Sequence, residues 1–251
     1  MRRLRRAVLP ERVLSYLAKK QRDVNSGKSA EALWTQARRT LTMRRVFDEL
    51  KRMVVTRERC MFCEDSRGVE IDHFWPKARY PERAFVWENL LLICADCNRR
   101  KSDRLELDSH GLPMLIDPTR EDPWAHLFYD SRTGIVTARF ILATREPDPR
   151  GQYTVEGSNL PLNDQAVTEG RQRTQRNLIR CVNRFVGALN AAIQDCSLAK
   201  ELLVCVDDNS DYGLTSWFFF RDGQSESPFA DLRSTARDVW DRLVARTIAA
   251  T

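Results

Sequence analysis

The chain has only three histidines, ten scattered glycines and no apolar run near the ~18 residues that a membrane-spanning helix requires. Its densest aromatic stretch, Trp217 to Phe220, is far too short to serve as one. The glycines build no phosphate-cradling loop, which excludes nucleotide hydrolysis of the P-loop kind as this chain's own chemistry. Internal repeats and low-complexity tracts are missing too. The basic opening "MRRLRR" meets Pro10, Glu11 and Arg12 before a signal-peptide core can form, so the expectation is a cytoplasmic protein with no membrane association. Seven cysteines are an odd count, and in a reducing compartment a disulfide framework is not expected. Cys181, Cys196 and Cys205 are scattered and read as small buried apolar residues. The other four fall into two C-x-x-C pairs.

Charge is unevenly placed. Residues 1–58 hold 16 Lys/Arg against 6 Asp/Glu, residues 59–104 hold 9 against 8, and residues 105–251 hold 16 against 21. A basic arm beside a near-neutral middle is the footprint expected of a polyanion partner, although a solvated helical face would show the same composition.

Three regions follow: a basic helical N-terminal region at 1–58, a cysteine-framed module at 59–105, and a mixed hairpin and helical C-terminal region at 106–251. In the first, apolar residues at 13, 14 and 17 mark one helix. Those at 33, 34, 37, 41, 46, 47 and 50 mark a second that runs unbroken through "SAEALWTQARRTLTMRRVFDELKRMVV", with "NSG" at 25–27 between them. Arg38, Arg39, Arg44, Arg45, Lys51 and Arg52 crowd the second helix and could meet phosphates or simply be solvated. In the third region, "LFYD", "SRTG" and "IVTARFIL" predict a hairpin turning at Ser131 to Gly134, and residues 152–156 predict a strand. A long helix is expected after Pro161 and the Asn163/Asp164 cap, its stripe running through Leu178, Val182, Phe185, Val186, Leu189 and Ile193. "DLRSTARDVWDRLVARTIA" predicts a last amphipathic helix.

Function concentrates between Cys60 and Arg104. Cys60 and Cys63 are separated by two residues, as are Cys94 and Cys97, so two tight turns can aim four sulfurs at one ion. Such a tetrahedral Cys₄ site has no open position and is structural rather than catalytic. Four reduced core cysteines would account for the residue type but not for the paired spacing. Within the frame, "GVEIDHFWP" reads as a strand ending in Asp72 and His73. Neighbouring strand residues point to opposite faces, so the two can straddle a scissile phosphate, a carboxylate holding a divalent ion on one side and an imidazole on the water side. Asn98, fixed beside Cys97, is the candidate amide ligand, and one carboxylate with one amide suffices for Mg²⁺. Asn89 is the candidate loop holder. Glu70, two residues before Asp72, shares its strand face and reads as a solvated charge or a backup ligand. "CNRRKSDR" reads as a helix start with four basic residues in seven, where Arg99, Arg100 and Lys101, with Lys77 on the preceding loop, are candidate nucleic-acid contacts. His110 and His126 lie outside this constellation and read as structural.

The "DH" at 72–73, Asn89 and Asn98 inside a C-x-x-C frame resemble the HNH, or ββα-metal, endonucleases. The resemblance implies an α+β fold: a zinc-stapled ββα-metal HNH module embedded between a helical N-terminal arm and a mixed, largely helical C-terminal region. It implies a general base in His73, a catalytic Mg²⁺ or Mn²⁺ on Asp72 and Asn98, a supporting Asn89, and structural zinc on Cys60, Cys63, Cys94 and Cys97. The third signature position here is Asn where many members have His. More narrowly, "DHFWPKARYPERAFVWENLLLICADCNRRKSD", "LIDPTREDPWAHL" and "LPLND" resemble the HNH subunits of Septu-type antiphage defence, some of them retron-linked. That likeness implies an effector nuclease acting on nucleic acid, DNA ahead of RNA or tRNA, beside an ABC-type ATPase. A zinc-ribbon subunit that only binds nucleic acid or docks onto the ATPase is the alternative. It explains the cysteines and the basic arm but not Asp72, His73 and Asn98 together.

Overall fold

A computed structural model describes residues 1–54, 57–191 and 197–250. Helices α1 (Glu11–Asn25), α2 (Ala30–Ala37) and α3 (Leu41–Met53) come first, followed by strands β1 (Glu70–His73) and β2 (Leu90–Ile93) and helix α4 (Ala95–Lys101). Two short antiparallel pairs come next: β3 (Leu127–Tyr129) with β4 (Val136–Ala138), and β5 (Phe140–Ile141) with β6 (Glu146–Pro147). Helices α5 (Pro149–Gln152), α6 (Gln165–Asn190), α7 (Ser197–Asp208), α8 (Leu214–Phe220), α9 (Phe229–Thr235) and α10 (Arg237–Ala250) complete the described chain. The class is α+β, and one buried apolar cluster runs from Met1 to Leu243.

The expected second helix is two helices. Thr40 ends the first and caps the next: its hydroxyl donates to Ala37 O (2.7 Å) and accepts from Met43 N (3.3 Å), replacing helical backbone partners at the break. Buried apolar residues flank the elbow on both sides, Leu33, Trp34 and Ala37 before it and Met43, Val46 and Leu50 after it, but Leu41, which the expected stripe included, is exposed, so the stripe changes phase at the break. Val55, the last residue of that expected helix, lies outside the described residues.

The hairpin turns where its sequence predicts, with Gly134 at φ +78°. Residues 152–156 are helical rather than extended. Asp148 accepts from Gly151 N (2.8 Å) and starts a helix that continues through Tyr153–Gly157, and the β-branched Thr154 is buried with its hydroxyl accepting from Ile116 N (3.0 Å). The final helix is broken at Ala236 into α9 and α10. Cys181 on α6 and Cys205 on α7 form a disulfide across 6.3 Å between Cα atoms, against the expectation of separate reduced residues. Cys196 lies outside the described residues.

Two cysteine turns fix the centre of the fold. The first begins where residues 58–68 double back, with Cys60 N donating to Ser66 O (2.9 Å) and Gly68 N to Glu58 O (2.7 Å). A Cβ on Gly68 would collide with Leu92, so glycine is required there. Met61 N donates to Leu92 O (2.9 Å) and docks this turn on β2. The second turn is the start of α4, where Cys94 Sγ accepts from Cys97 N (3.4 Å) as the helix cap. All four thiols are buried, and their sulfurs lie within 4.8 Å of one another, with Cys63 and Cys94 at 3.9 Å. Tetrahedral zinc with Zn–S near 2.3 Å places sulfurs about 3.8 Å apart, so the cage fits that ion. Burial pushes the Cys60 thiol well up, and a cation is what lets such a cluster ionise.

Away from the cage, His126 bridges two carboxylates. Its Nδ1 lies 3.0 Å from Asp148 Oδ2 and its Nε2 3.1 Å from Glu121 Oε2, while Arg150 also clasps Glu121. The hydrogen bond to Glu121, opposed by burial, raises the His126 pKa from its ordinary 6.5. Burial works to raise Glu121, but the hydrogen bonds from His126 and Arg150 outweigh it and hold that carboxyl at about 2.

Two outcomes are expected. The purified chain should carry one zinc, and Cys97→Ser or strong chelation should abolish cooperative melting, because such a site supplies on the order of 10 kcal/mol of apparent folding free energy. Elemental analysis with thermal melts checks this, and an unchanged melt in metal-free protein would contradict it. The His126 cluster should stabilise most fully between the unfolded pKa values of its carboxylate and its imidazole, 4.5 and 6.5. A raised imidazole loses its contribution as pH climbs from 6.5 through its folded value, and a depressed carboxyl loses its own as pH falls from 4.5 toward 2. Melting temperature across pH 6 to 9 should therefore decline less in His126→Gln than in wild type.

Candidate active site

β1 and β2 pair antiparallel, with Glu70 opposite Ile93, Asp72 opposite Leu91 and His73 opposite Leu90. Every residue of β2 is buried, as its unbroken Leu-Leu-Leu-Ile run requires, so β2 lies covered between the cysteine turns and the N-terminal helices. β1 is only half covered. Its open face looks onto a cavity of about 640 Å³ bounded by β1, α2, α3 and Asn98, and a second of about 590 Å³ bounded by β1, the loop at 76–78 and α4. Glu70, Asp72, His73, Lys77 and Asn98 line both, which makes one continuous groove over the end of the strand.

His73 is 3% exposed and its Nε2 lies 2.9 Å from Ala84 O. A carbonyl only accepts, so Nε2 carries the proton and Nδ1 holds the lone pair. Nδ1 has no protein partner among the described residues. Trp34 packs edge-on against the ring at 4.3 Å. Burial first, opposed by the Ala84 hydrogen bond and helped by the nearby charges of Lys77 and Lys101, lowers the imidazole pKa to about 3. The ring is thus neutral at every ordinary pH, the state a base needs, with a basicity below the value near 7 that the chemistry calls for. A phosphodiester entering the groove brings negative charge that raises it.

Asp72 sits on the opposite face of the strand end, and its Oδ2 lies 3.0 Å from Lys101 Nζ. That oxygen is buried without a hydrogen bond of good geometry, so the contact is an ion pair more than a directed bond. Asn98, in the first turns of α4, donates through its amide nitrogen to Glu70 Oε2. The amide oxygen, Asp72 and Glu70 therefore gather around one stretch of groove. Glu70 belongs to the constellation more fully than a solvated charge would, and its i, i+2 relation to Asp72 on one strand face is the signal that points to it.

Asn89 is buried and ties the loop after His73 at both ends. Its Oδ1 accepts from Trp75 N (2.7 Å), and its Nδ2 donates to Trp75 O (3.0 Å) and Arg83 O (2.9 Å). Phe74 N donates to Asn89 O at 2.8 Å. The same loop carries Ala84, so Asn89 also holds the carbonyl that fixes the imidazole tautomer.

The four candidate nucleic-acid contacts fare differently. Lys101 has no exposed surface and is committed to Asp72 and to His73 O (2.9 Å), so it does not reach a nucleic acid, and the expectation that it would is corrected. Arg100 is paired with Asp96 (3.0 Å) and Asp164 (2.5 Å). Arg99 is 78% exposed with one bond to Asp96, and Lys77 on the groove wall pairs with Glu31 at 3.0 Å. Part of the basic N-terminal arm is likewise internal. Arg2 binds Glu64 at 2.7 Å, and Arg6 donates to Leu90 O (2.6 Å) and Thr119 Oγ1 (2.7 Å), its pKa lowered to about 10 by burial. Arg38 and Arg44, at the α2–α3 elbow, are exposed, line the groove, and have no ion-pair partner among the described residues.

Residues 58–104 match the family model described as HNH endonuclease. A curated relative, the Septu protein PtuB of Bacillus thuringiensis, is 29% identical over 124 residues, which is 47% of this chain and 43% of that protein. The aligned part thus spans less than half the length of that relative. The ββα arrangement, the thiol cage and the strand-end Asp-His pair all fall within residues 58–104, the segment that matches the HNH endonuclease model, and the chain that carries it resembles a Septu protein.

Proposed function

We propose that this chain is a metal-dependent HNH endonuclease that hydrolyses phosphodiester bonds in nucleic acid. The observation that carries the reading is the pairing at the end of β1: a neutral imidazole with its Nε2 committed to Ala84 O, beside a groove bearing Asp72 and Asn98. His73 Nδ1 takes the proton of the attacking water. Ala84 O keeps that nitrogen unprotonated and Asn89 keeps the loop in place; as the water oxygen bonds to phosphorus the bond to the leaving oxygen breaks, and the imidazolium then passes its proton to that oxygen through solvent. Asp72 and Asn98, with Glu70 adjoining, supply hard oxygen donors suited to Mg²⁺ or Mn²⁺. A divalent ion held there supplies positive charge for the phosphate and the leaving oxygen.

Arg38 and Arg44 hold the phosphates that flank the scissile bond, a role supported by their exposure and by their place on the same groove as His73. The likeness to a Septu protein supports a role as the nuclease of an antiphage defence system, and the resemblance read in the sequence implies an ABC-type ATPase beside it. The substrate is DNA ahead of RNA.

Wild-type protein with Mg²⁺ or Mn²⁺, with its ATPase supplied, should nick plasmid DNA or degrade RNA, and His73→Ala should lose at least about 10²-fold in rate, as general-base removal does. Equal behaviour of the two on every substrate would leave a subunit that binds without cleaving. In the His73→Ala background, Arg38→Ala with Arg44→Ala should weaken nucleic-acid binding and reduce the slope of log K against log[salt] by about 2, one per phosphate contact. An unchanged slope would place the nucleic acid elsewhere.

A further inference from the structure

Lys101 is the last residue of α4, and its side chain is wholly buried. Its ammonium donates to His73 O at 2.9 Å and lies 3.0 Å from Asp72 Oδ2, an oxygen that is itself buried. A buried ammonium without a counter-charge would be unstable, so its place beside Asp72 is dictated by charge as well as by packing. The helix that carries it begins at one cysteine of the thiol cage and holds another a turn before Lys101.

We propose that Lys101 is the positioning residue of the Asp-His pair and sets how tightly the divalent ion binds. It holds Asp72 through the carboxylate and His73 through the carbonyl, so both residues are fixed by one group on the zinc-anchored helix. With Oδ2 engaged by the ammonium, Oδ1 is the oxygen left for the ion. The same positive charge opposes a second cation at Asp72, so ion binding stays weak until a phosphodiester adds its negative charge to the groove. Metal and nucleic acid then bind cooperatively, and the site is poorly loaded when no substrate is present. This rests on the reading of Asp72 and Asn98 as ligands of the divalent ion.

The test compares wild type, Lys101→Met and Lys101→Arg as full-length, zinc-loaded protein. Mn²⁺ affinity is read by electron paramagnetic resonance with and without a non-cleavable oligonucleotide, and cleavage is read under single-turnover conditions at saturating Mn²⁺. Lys101→Met should bind Mn²⁺ about three- to tenfold more tightly in the absence of nucleic acid, since the opposing charge is gone. Its single-turnover rate should fall about a hundredfold, because the pair is no longer held in register. Lys101→Arg should keep Mn²⁺ affinity within about twofold of wild type and recover part of the rate, the charge being retained. Tighter metal with slower cleavage is a combination that a merely structural lysine would not produce. Unchanged or weakened Mn²⁺ affinity in Lys101→Met that keeps its zinc and its cooperative melt would overturn the proposal. Should Lys101→Met fail to fold, Lys101→Arg decides. Wild-type ion affinity with measurable cleavage supports the role, and altered affinity despite the retained charge overturns it. Wild-type protein that takes up no Mn²⁺ even with oligonucleotide would instead overturn the reading of Asp72 and Asn98, and this inference with it.

Discussion

Convergence of four thiols on one point is the constraint from which the remainder of this structure follows. Sulfurs within 4.8 Å of one another, all buried, suit a tetrahedral cation, and a cation held there would lock two turns that are remote in sequence. One turn is docked on β2 by Met61, and the other is the first turn of α4. The β1–β2 pair, too short to be stable alone, is thereby clamped from both ends. Its open strand can then carry polar and charged residues that a marginal hairpin could not support.

Charge placement shows the same division between what is held and what is left free. Arg2, Arg6, Arg100 and Lys101 are enclosed or paired, and each stitches one part of the chain to another. Arg6 links the N-terminal segment to β2 and to Thr119, while Lys101 links α4 to β1. A net positive balance is therefore only loosely related to the basic surface a polyanion would meet. The arginines of the α2–α3 elbow, which lie outside the HNH segment itself, border the groove and keep their charge available.

Much of this was legible in residue order, and the parts that were not have definite causes. The thiol cage and the strand ending in Asp72 and His73 follow from short-range spacing, which the chain preserves when it folds. The tautomer of His73 is set by Ala84 O, a backbone group that any residue at that position would supply, so no side-chain pattern reveals it. Lys101 looks like one more basic residue in a basic run, and only the helical phase that turns it toward β1 separates it from Arg99. The break at Thr40 hides in the sequence because Leu41 continues the helical spacing of Leu33, Trp34 and Ala37, yet Leu41 is exposed and the second helix buries Met43, Val46 and Leu50 instead. Thr154 and Val155 suggest a strand by type, yet the Asp148–Pro149 start sends them into a helix. The pairing of Cys181 with Cys205 comes from α6 and α7 lying side by side, a contact that 24 residues of separation do not announce.

The proposed chemistry needs two chemically distinct metal sites within one small module, a soft cage of sulfur and a hard cluster of oxygen beside an imidazole. Anomalous diffraction from crystals of the zinc-loaded protein soaked in Mn²⁺ tests this directly. The prediction is a zinc peak among Cys60, Cys63, Cys94 and Cys97 and a separate manganese peak beside Asp72 and Asn98 in the groove that His73 also lines. Manganese found only at surface carboxylates, with Asp72 and Asn98 left bare even when an oligonucleotide occupies the groove, would contradict it.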